Sequence, residues 1–125
     1  MKTNESEARV KNVCDFKYLS ETMGGKKKSI REVIDAFVEQ VPVQLQSIND
    51  AITQKDYSII ERVAHVMRSS VSIMGISSLV PVLQEMETLG ANATDMEKIK
   101  KLNQKLNSIS EQALEEIEKE KSNYV

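Results

Sequence analysis

The chain is 125 residues long, which suits one domain with a real core. Hydrophobic residues make up 40% and charged residues 29%, as in soluble helical proteins, while aromatics reach only 4% with no tryptophan, so the core must be aliphatic and methionine-rich. Four glycines and two prolines are too few for an all-β fold, and a net charge of -2 from 17 basic and 19 acidic residues gives no electrostatic reason to expect nucleic acid as a partner.

The single cysteine, Cys14, excludes an internal disulfide and fits a reducing compartment. It precedes an apolar segment and reads as a small buried residue rather than a reactive thiol. No apolar run approaches the roughly 18 residues of a membrane span. The stretch Met1-Lys2-Thr3-Asn4-Glu5-Ser6-Glu7 has no apolar centre, so no secretory signal and no membrane are expected, and the chain reads as cytoplasmic.

Residues 1–13 are polar and mixed in charge and are expected to form a flexible N-terminal arm ahead of a folded domain over residues 14–122. A short helix is predicted from Asp15 to Met23, capped by Asp15, with Phe16, Leu19 and Met23 on one stripe and Gly24-Gly25 as its stop. Lys26-Lys27-Lys28 reads as a solvated loop near that helix C-terminus. Ser29 and Glu32 have capping-box spacing and should open a long helix. Its buried face would be Ile30, Val33, Ile34, Phe37, Val38, Val41, Leu45 and Ile48, recurring every three or four residues. Pro42 should kink this helix rather than end it, because the pattern continues past it to about Gln54.

Lys55-Asp56 makes a tight connection to a third helix from Tyr57 to Met74, capped by Asp56 and followed by Gly75. Ser77 should begin the fourth, with Leu79, Val82, Leu83, Met86 and Leu89 inward, Pro81 in the first turn and Gly90 as its end. Ala91-Asn92-Ala93 then reads as a linker. Thr94 and Glu97 have capping-box spacing before a last helix whose stripe is Ile99, Leu102, Leu106, Ile109, Ala113 and Ile117. The expected fold is all-α: an antiparallel up-and-down four-helix bundle with a short extra N-terminal helix across one end. Its stripes can be buried within one chain, so a monomer is expected rather than a homodimeric bundle.

One residue stands out chemically, the only histidine, His65. With about 100° per residue on a helical wheel, Ile59, Ile60, Val63, Met67, Ser70, Val71 and Met74 gather opposite it. Glu61, Arg62, Arg68, Ser69 and Ser72 surround it, so the imidazole points away from the core. This spacing also fits an ordinary surface histidine. A metal site is not supported, since there is no second histidine, no cysteine cluster and no carboxylate set at ligand spacing. A histidine titrating near its ordinary value of about 6.5 leaves one ring nitrogen with a free lone pair at neutral pH. Arg68, one turn on, favours the uncharged ring and can stabilise a phosphoryl group once it has arrived. Ser69 could donate its hydroxyl to a phosphoryl oxygen, and Ser69 and Ser72 keep the approach low for a partner.

The run Ala64-His65-Val66-Met67-Arg68-Ser69-Ser70-Val71-Ser72-Ile73-Met74-Gly75, followed by Leu83-Gln84-Glu85-Met86-Glu87-Thr88-Leu89-Gly90, resembles histidine-containing phosphotransfer (HPt) domains, whose pattern is roughly A-H-x-L-K-G-S-x-x-x-L-G and then L-x-x-L-E at the far end of the next helix. Upstream, Phe16 to Gly25 and Ile30 to Leu45 resemble the family's entry helix, turn and proline-containing helix, so the resemblance spans about residues 14 to 120. It implies a phosphorelay intermediate of two-component signalling. His65 would take a phosphoryl group on Nε2 from an aspartyl phosphate on a receiver domain and pass it to another receiver. Partners would be receivers of a hybrid histidine kinase or a response regulator. Mg²⁺ would be supplied by the receiver, with no cofactor on this chain and no kinase activity of its own. Arg68 matches the family's lysine, Ser69 replaces its glycine where the receiver approaches, and Met67 and Met74 replace leucines. The competing reading is a non-catalytic helical module that binds a receiver or kinase without accepting phosphate.

Overall fold

Helices account for almost all of residues 12–124, which are the residues the computed structural model describes, and no strand occurs among them. They are α1 (Phe16–Thr22), α2 (Lys27–Gln54), α3 (Tyr57–Ile73), α4 (Leu79–Asn92) and α5 (Met96–Glu120), followed by a 3₁₀ turn at Lys121–Tyr124. Helices α2 to α5 pack in a ring in chain order, and α5 closes against α2. This is the antiparallel four-helix bundle that the stripes predict. No helix among the described residues is long and apolar enough to cross a membrane.

The stripes form one continuous core. Ile30, Ile34, Phe37, Val41, Leu45 and Ile48 of α2 meet Ile60, Met67 and Val71 of α3, Leu79, Val82, Leu83 and Met86 of α4, and Ile99, Leu106, Ala113 and Ile117 of α5. Val38, expected inside, is 41% exposed. Pro42 has no N–H to offer the Val38 carbonyl, and both residues face water, which satisfies that carbonyl and lets α2 run through the proline unbroken.

Helix α1 begins where expected: the Asp15 side chain accepts from the Tyr18 N–H at 3.0 Å. The segment before it is tied down more firmly than an arm over residues 1–13 implies. Residues 1–11 lie outside the described residues, but the Val13 and Cys14 N–H groups both donate to the Glu116 carboxylate, at 2.8 and 2.9 Å. The Asp15 N–H donates to the Met74 carbonyl at 3.1 Å, locking α1 over the α3–α4 turn. Gly75 sits in that turn at φ +70°, and a Cβ there would lie 2.5 Å from the Asp15 Cβ, so both the backbone angle and the contact require glycine.

Several predicted boundaries move, each for a local reason. Ser29 is not the cap of α2. Gly24 and Gly25 both take positive φ and turn the chain sharply, so Lys26 already supplies the first helical carbonyl, which accepts from the Ile30 N–H at 3.0 Å. Lys27 and Lys28 therefore lie in the first turn of α2, not in a loop, against the preference of the helix dipole, and remain exposed to water. Ser77 and Ser78 form a turn before α4, which starts at Leu79 and holds Pro81 in its first turn. Thr94 does not cap α5. Asp95 does, in the left-handed region at φ 58°, with its side chain accepting from the Lys98 N–H.

Gly90 does not end α4, which continues to Asn92 with left-handed Ala93 as its cap. Its role is close packing. A Cβ on Gly90 would stand 2.9 Å from the Glu61 nitrogen and 3.0 Å from the Tyr57 carbonyl oxygen, both on the backbone of α3. These two helices share the most extensive helix–helix contact of the described residues. Gly90→Ala should therefore force the helices apart and destabilise the fold by about 1–3 kcal/mol, the usual cost of overpacking. Denaturant unfolding checks this, and an unchanged midpoint would refute the close approach. Cys14 is buried, and burial together with the neighbouring Glu116 carboxylate pushes its thiol far above the ordinary cysteine value. In the native protein at pH 8 it should resist a thiol reagent such as DTNB, and it should react rapidly once the chain is unfolded in guanidinium.

Candidate functional site

The third helix carries His65 because its apolar residues commit the opposite face to the core. Ile60, Ala64, Met67 and Val71 are fully covered, while His65, Val66 and Ser69 are exposed. Burial is rotated slightly from the sequence wheel. Ala64 is buried completely, whereas Val66 is 50% and Ile73 36% exposed. His65 remains on the outer face, with its side chain 65% exposed.

Across the tight α3–α4 contact, Glu87 reaches both expected site residues. Its Oε2 lies 2.8 Å from His65 Nδ1, and its Oε1 accepts from Arg68 Nη1 at 2.6 Å. Partial burial pushes the Glu87 carboxyl up, but the hydrogen bonds from His65 and Arg68, reinforced by their charges, outweigh this and hold it below its ordinary value. Glu87 is therefore ionised at neutral pH and can only accept hydrogen bonds. The proton must then sit on His65 Nδ1, which leaves the lone pair on Nε2. Among the described residues only Nδ1 of the ring is hydrogen-bonded, so the Nε2 side is open to an incoming group.

The pattern of roles differs from what sequence spacing offers. Arg68 is where the wheel puts it, one turn from His65, but its charge is engaged by Glu87 instead of being free beside the ring. Ser69 is exposed one turn along and makes no side-chain hydrogen bond to either residue. Arg68, Ser69, Ser72, Ile73 and Val80 line an open depression beside the histidine, with polar and apolar surface side by side. Glu87 carried no assigned role in the sequence, because it lies 22 residues from His65 on another helix. The one signal for it was its place within the run Leu83-Gln84-Glu85-Met86-Glu87-Thr88-Leu89-Gly90, where it falls on the glutamate of the L-x-x-L-E pattern. Among the described residues no group of three or more His, Cys, Asp or Glu side chains is arranged to hold a metal ion.

The arrangement can do one kind of chemistry well. It presents a ring nitrogen, Nε2, open to solvent on a helix, with the other ring nitrogen held by a carboxylate and a guanidinium one turn away. The model of one family, the Hpt domain, matches residues 32–120, most of the chain. The match starts within α2 and leaves α1 outside, and it includes His65, Arg68 and Glu87. No curated protein and no solved structure matches the chain. With the family's helical bundle present and the match covering α3, α4 and α5 entirely, the chain belongs to the Hpt domain family, the phosphotransfer modules of two-component phosphorelays that work with receiver domains.

Proposed function

We propose that His65 is the phosphoacceptor of a relay intermediate. Its Nε2 takes a phosphoryl group from an aspartyl phosphate on one receiver, such as that of a hybrid histidine kinase, and gives it to the aspartate of another, such as a response regulator. The observation that carries this reading is the pairing of Nδ1 with the Glu87 carboxylate on a ring 65% exposed, which leaves the Nε2 lone pair free and accessible. The lone pair attacks phosphorus in line, the bond from phosphorus to the acyl oxygen breaks, and the aspartate leaves as a carboxylate with the electron pair. No proton has to be removed from Nε2, so the chain needs no general base.

Arg68 neutralises charge on the phosphoryl oxygens, with a fork of donors that suits them. In this reading the exposed Ser69 hydroxyl donates to a phosphoryl oxygen or touches the receiver. The receiver brings Mg²⁺ and an acidic pocket, so no cofactor on this chain takes part. The remaining demand is positioning, met by a rigid helix surface. In this reading the bundle over residues 14–122 acts as a cytoplasmic monomer and as a carrier rather than an enzyme.

A panel of receiver domains loaded with labelled acetyl phosphate tests the reading. Wild type should acquire an acid-labile label and His65→Gln none, while both keep the same helical content. A wild type that stays unlabelled with every receiver would favour the non-catalytic binding module instead. Arg68→Ala should accept phosphate about tenfold more slowly, as expected for the loss of one charge-assisted hydrogen bond of about 1.5 kcal/mol. Unchanged stopped-flow transfer rates would remove Arg68 from the site.

A further inference from the structure

Helix α1 is only seven residues long, too short to hold its shape in water by itself, so its presence depends on what fastens it to the bundle. Its own hydrogen bonds are local, such as Leu19 N–H to the Asp15 carbonyl at 3.1 Å and Met23 N–H to the Leu19 carbonyl at 3.0 Å. The fastenings lie just before it. The Glu116 carboxylate on α5 accepts from the Val13 N–H through Oε2 at 2.8 Å and from the Cys14 N–H through Oε1 at 2.9 Å. Gln112, one turn earlier on α5, donates to Oε2 at 3.0 Å and steadies the carboxylate. We infer that α1 is a strap latched by Glu116: it lifts from the α3–α4 turn and reseats while the four-helix bundle stays folded.

The argument is one of unequal anchoring. Both amides belong to one segment and share one carboxylate, so the two bonds form and break together. Each is charge-assisted, and so stronger than a neutral bond. Little buried apolar surface backs them, since Leu19 is the one fully covered side chain of α1 and Cys14 the one just before it. Helix α3, in contrast, has Ile60, Ala64, Met67 and Val71 covered along its whole inner face. An element held mainly by a polar latch opens more readily than a helix held by a core.

The place of the strap gives its movement a consequence. A cavity of about 280 Å³ is lined by Asp15 and Tyr18 from the strap and by Ser72, Gly75, Ser77 and Val80 from the bundle. Ser72 and Val80 also line the depression beside His65. With the strap down, Asp15 and Tyr18 wall off that end of the surface. With it up, the cavity loses this wall and opens into the depression. The chain therefore shows two different surfaces next to His65, with no change at the imidazole, Arg68 or Glu87.

Amide hydrogen exchange of the full chain, in urea below the unfolding transition, tests the latch. In wild type the Leu19 and Met23 amides should be about a hundredfold less protected than the Met67 amide, with a shallower urea slope, because lifting the strap exposes little surface. Slopes equal to that of Met67 would mean that α1 leaves only when the bundle unfolds, and would overturn the inference. Glu116→Gln keeps the size but leaves one neutral acceptor oxygen for two amides. It should speed exchange at Leu19 about tenfold, with the shallow slope retained. An unchanged Leu19 rate strikes out the latch. Ile60→Val, at the opposite end of α3, should speed exchange at Met67 severalfold and leave Leu19 as in wild type. Equal acceleration at both positions overturns the independence of the strap. Cys14 gives a second readout, since the urea slope of its labelling by DTNB should match that of Leu19, and a match to Met67 instead counts against the strap. These measurements need neither phosphate nor a receiver, so they stand or fall apart from the phosphotransfer reading of His65.

Discussion

The close approach of α3 and α4 at Gly90 is the constraint on which the site depends. Any side chain at that position would meet the backbone of Glu61 and Tyr57. Because Gly90 lets the two helices touch, residues one turn earlier in α4 and one to two turns later in α3 come within side-chain reach. Glu87 is one turn before Gly90, and His65 and Arg68 follow Glu61 by one and two turns. A methyl group added at Gly90 would act first on packing, but the displaced helices would also pull the carboxylate from the imidazole.

The resulting cluster adds little to the stability of the fold. Its three members are exposed to different degrees, 65% for His65, 37% for Arg68 and 22% for Glu87, and water screens ion pairs at such a surface. Stability comes instead from the aliphatic and methionine core and from the tethers at the end of the bundle, where Glu116 holds the Val13 and Cys14 amides. This division lets a site residue change without loss of the bundle. It also explains how an exposed ring is oriented: Nδ1 meets a carboxylate that Arg68 holds as well, between helices whose positions the core has already set.

The fold was legible because apolar residues at three- and four-residue spacing bury the same faces whatever the details of the ends. The ends were less legible because short polar patterns are weak against geometry. Ser29 and Glu32 have the right spacing for a capping box, yet the two left-handed glycines before them start α2 at Lys27. Thr94 and Glu97 fail in the same way, since Asp95 accepts the left-handed conformation and caps α5 from there. Gly90 reads as a stop in sequence because a helix end and a close contact both select glycine. On α3 the wheel identified the outward face but not its exact rotation, because it gave Ala64 no weight as a packing residue. His65, Arg68 and Ser69 were legible as neighbours on one helix. Glu87 was not, because contacts between helices leave no spacing to read within either one.

A carrier must accept and donate the same group through the same atom, and this demands a site that looks alike before and after each transfer. A histidine activated by a general base would have to regain a proton in one direction that it lost in the other. In the role proposed for His65, the Glu87 contact removes that requirement, because a proton held on Nδ1 takes no part in bond making at Nε2. In the proposed role, the direction of transfer would then be set by the receivers, through the stability of their own aspartyl phosphates, with the bundle offering the same nitrogen to either side.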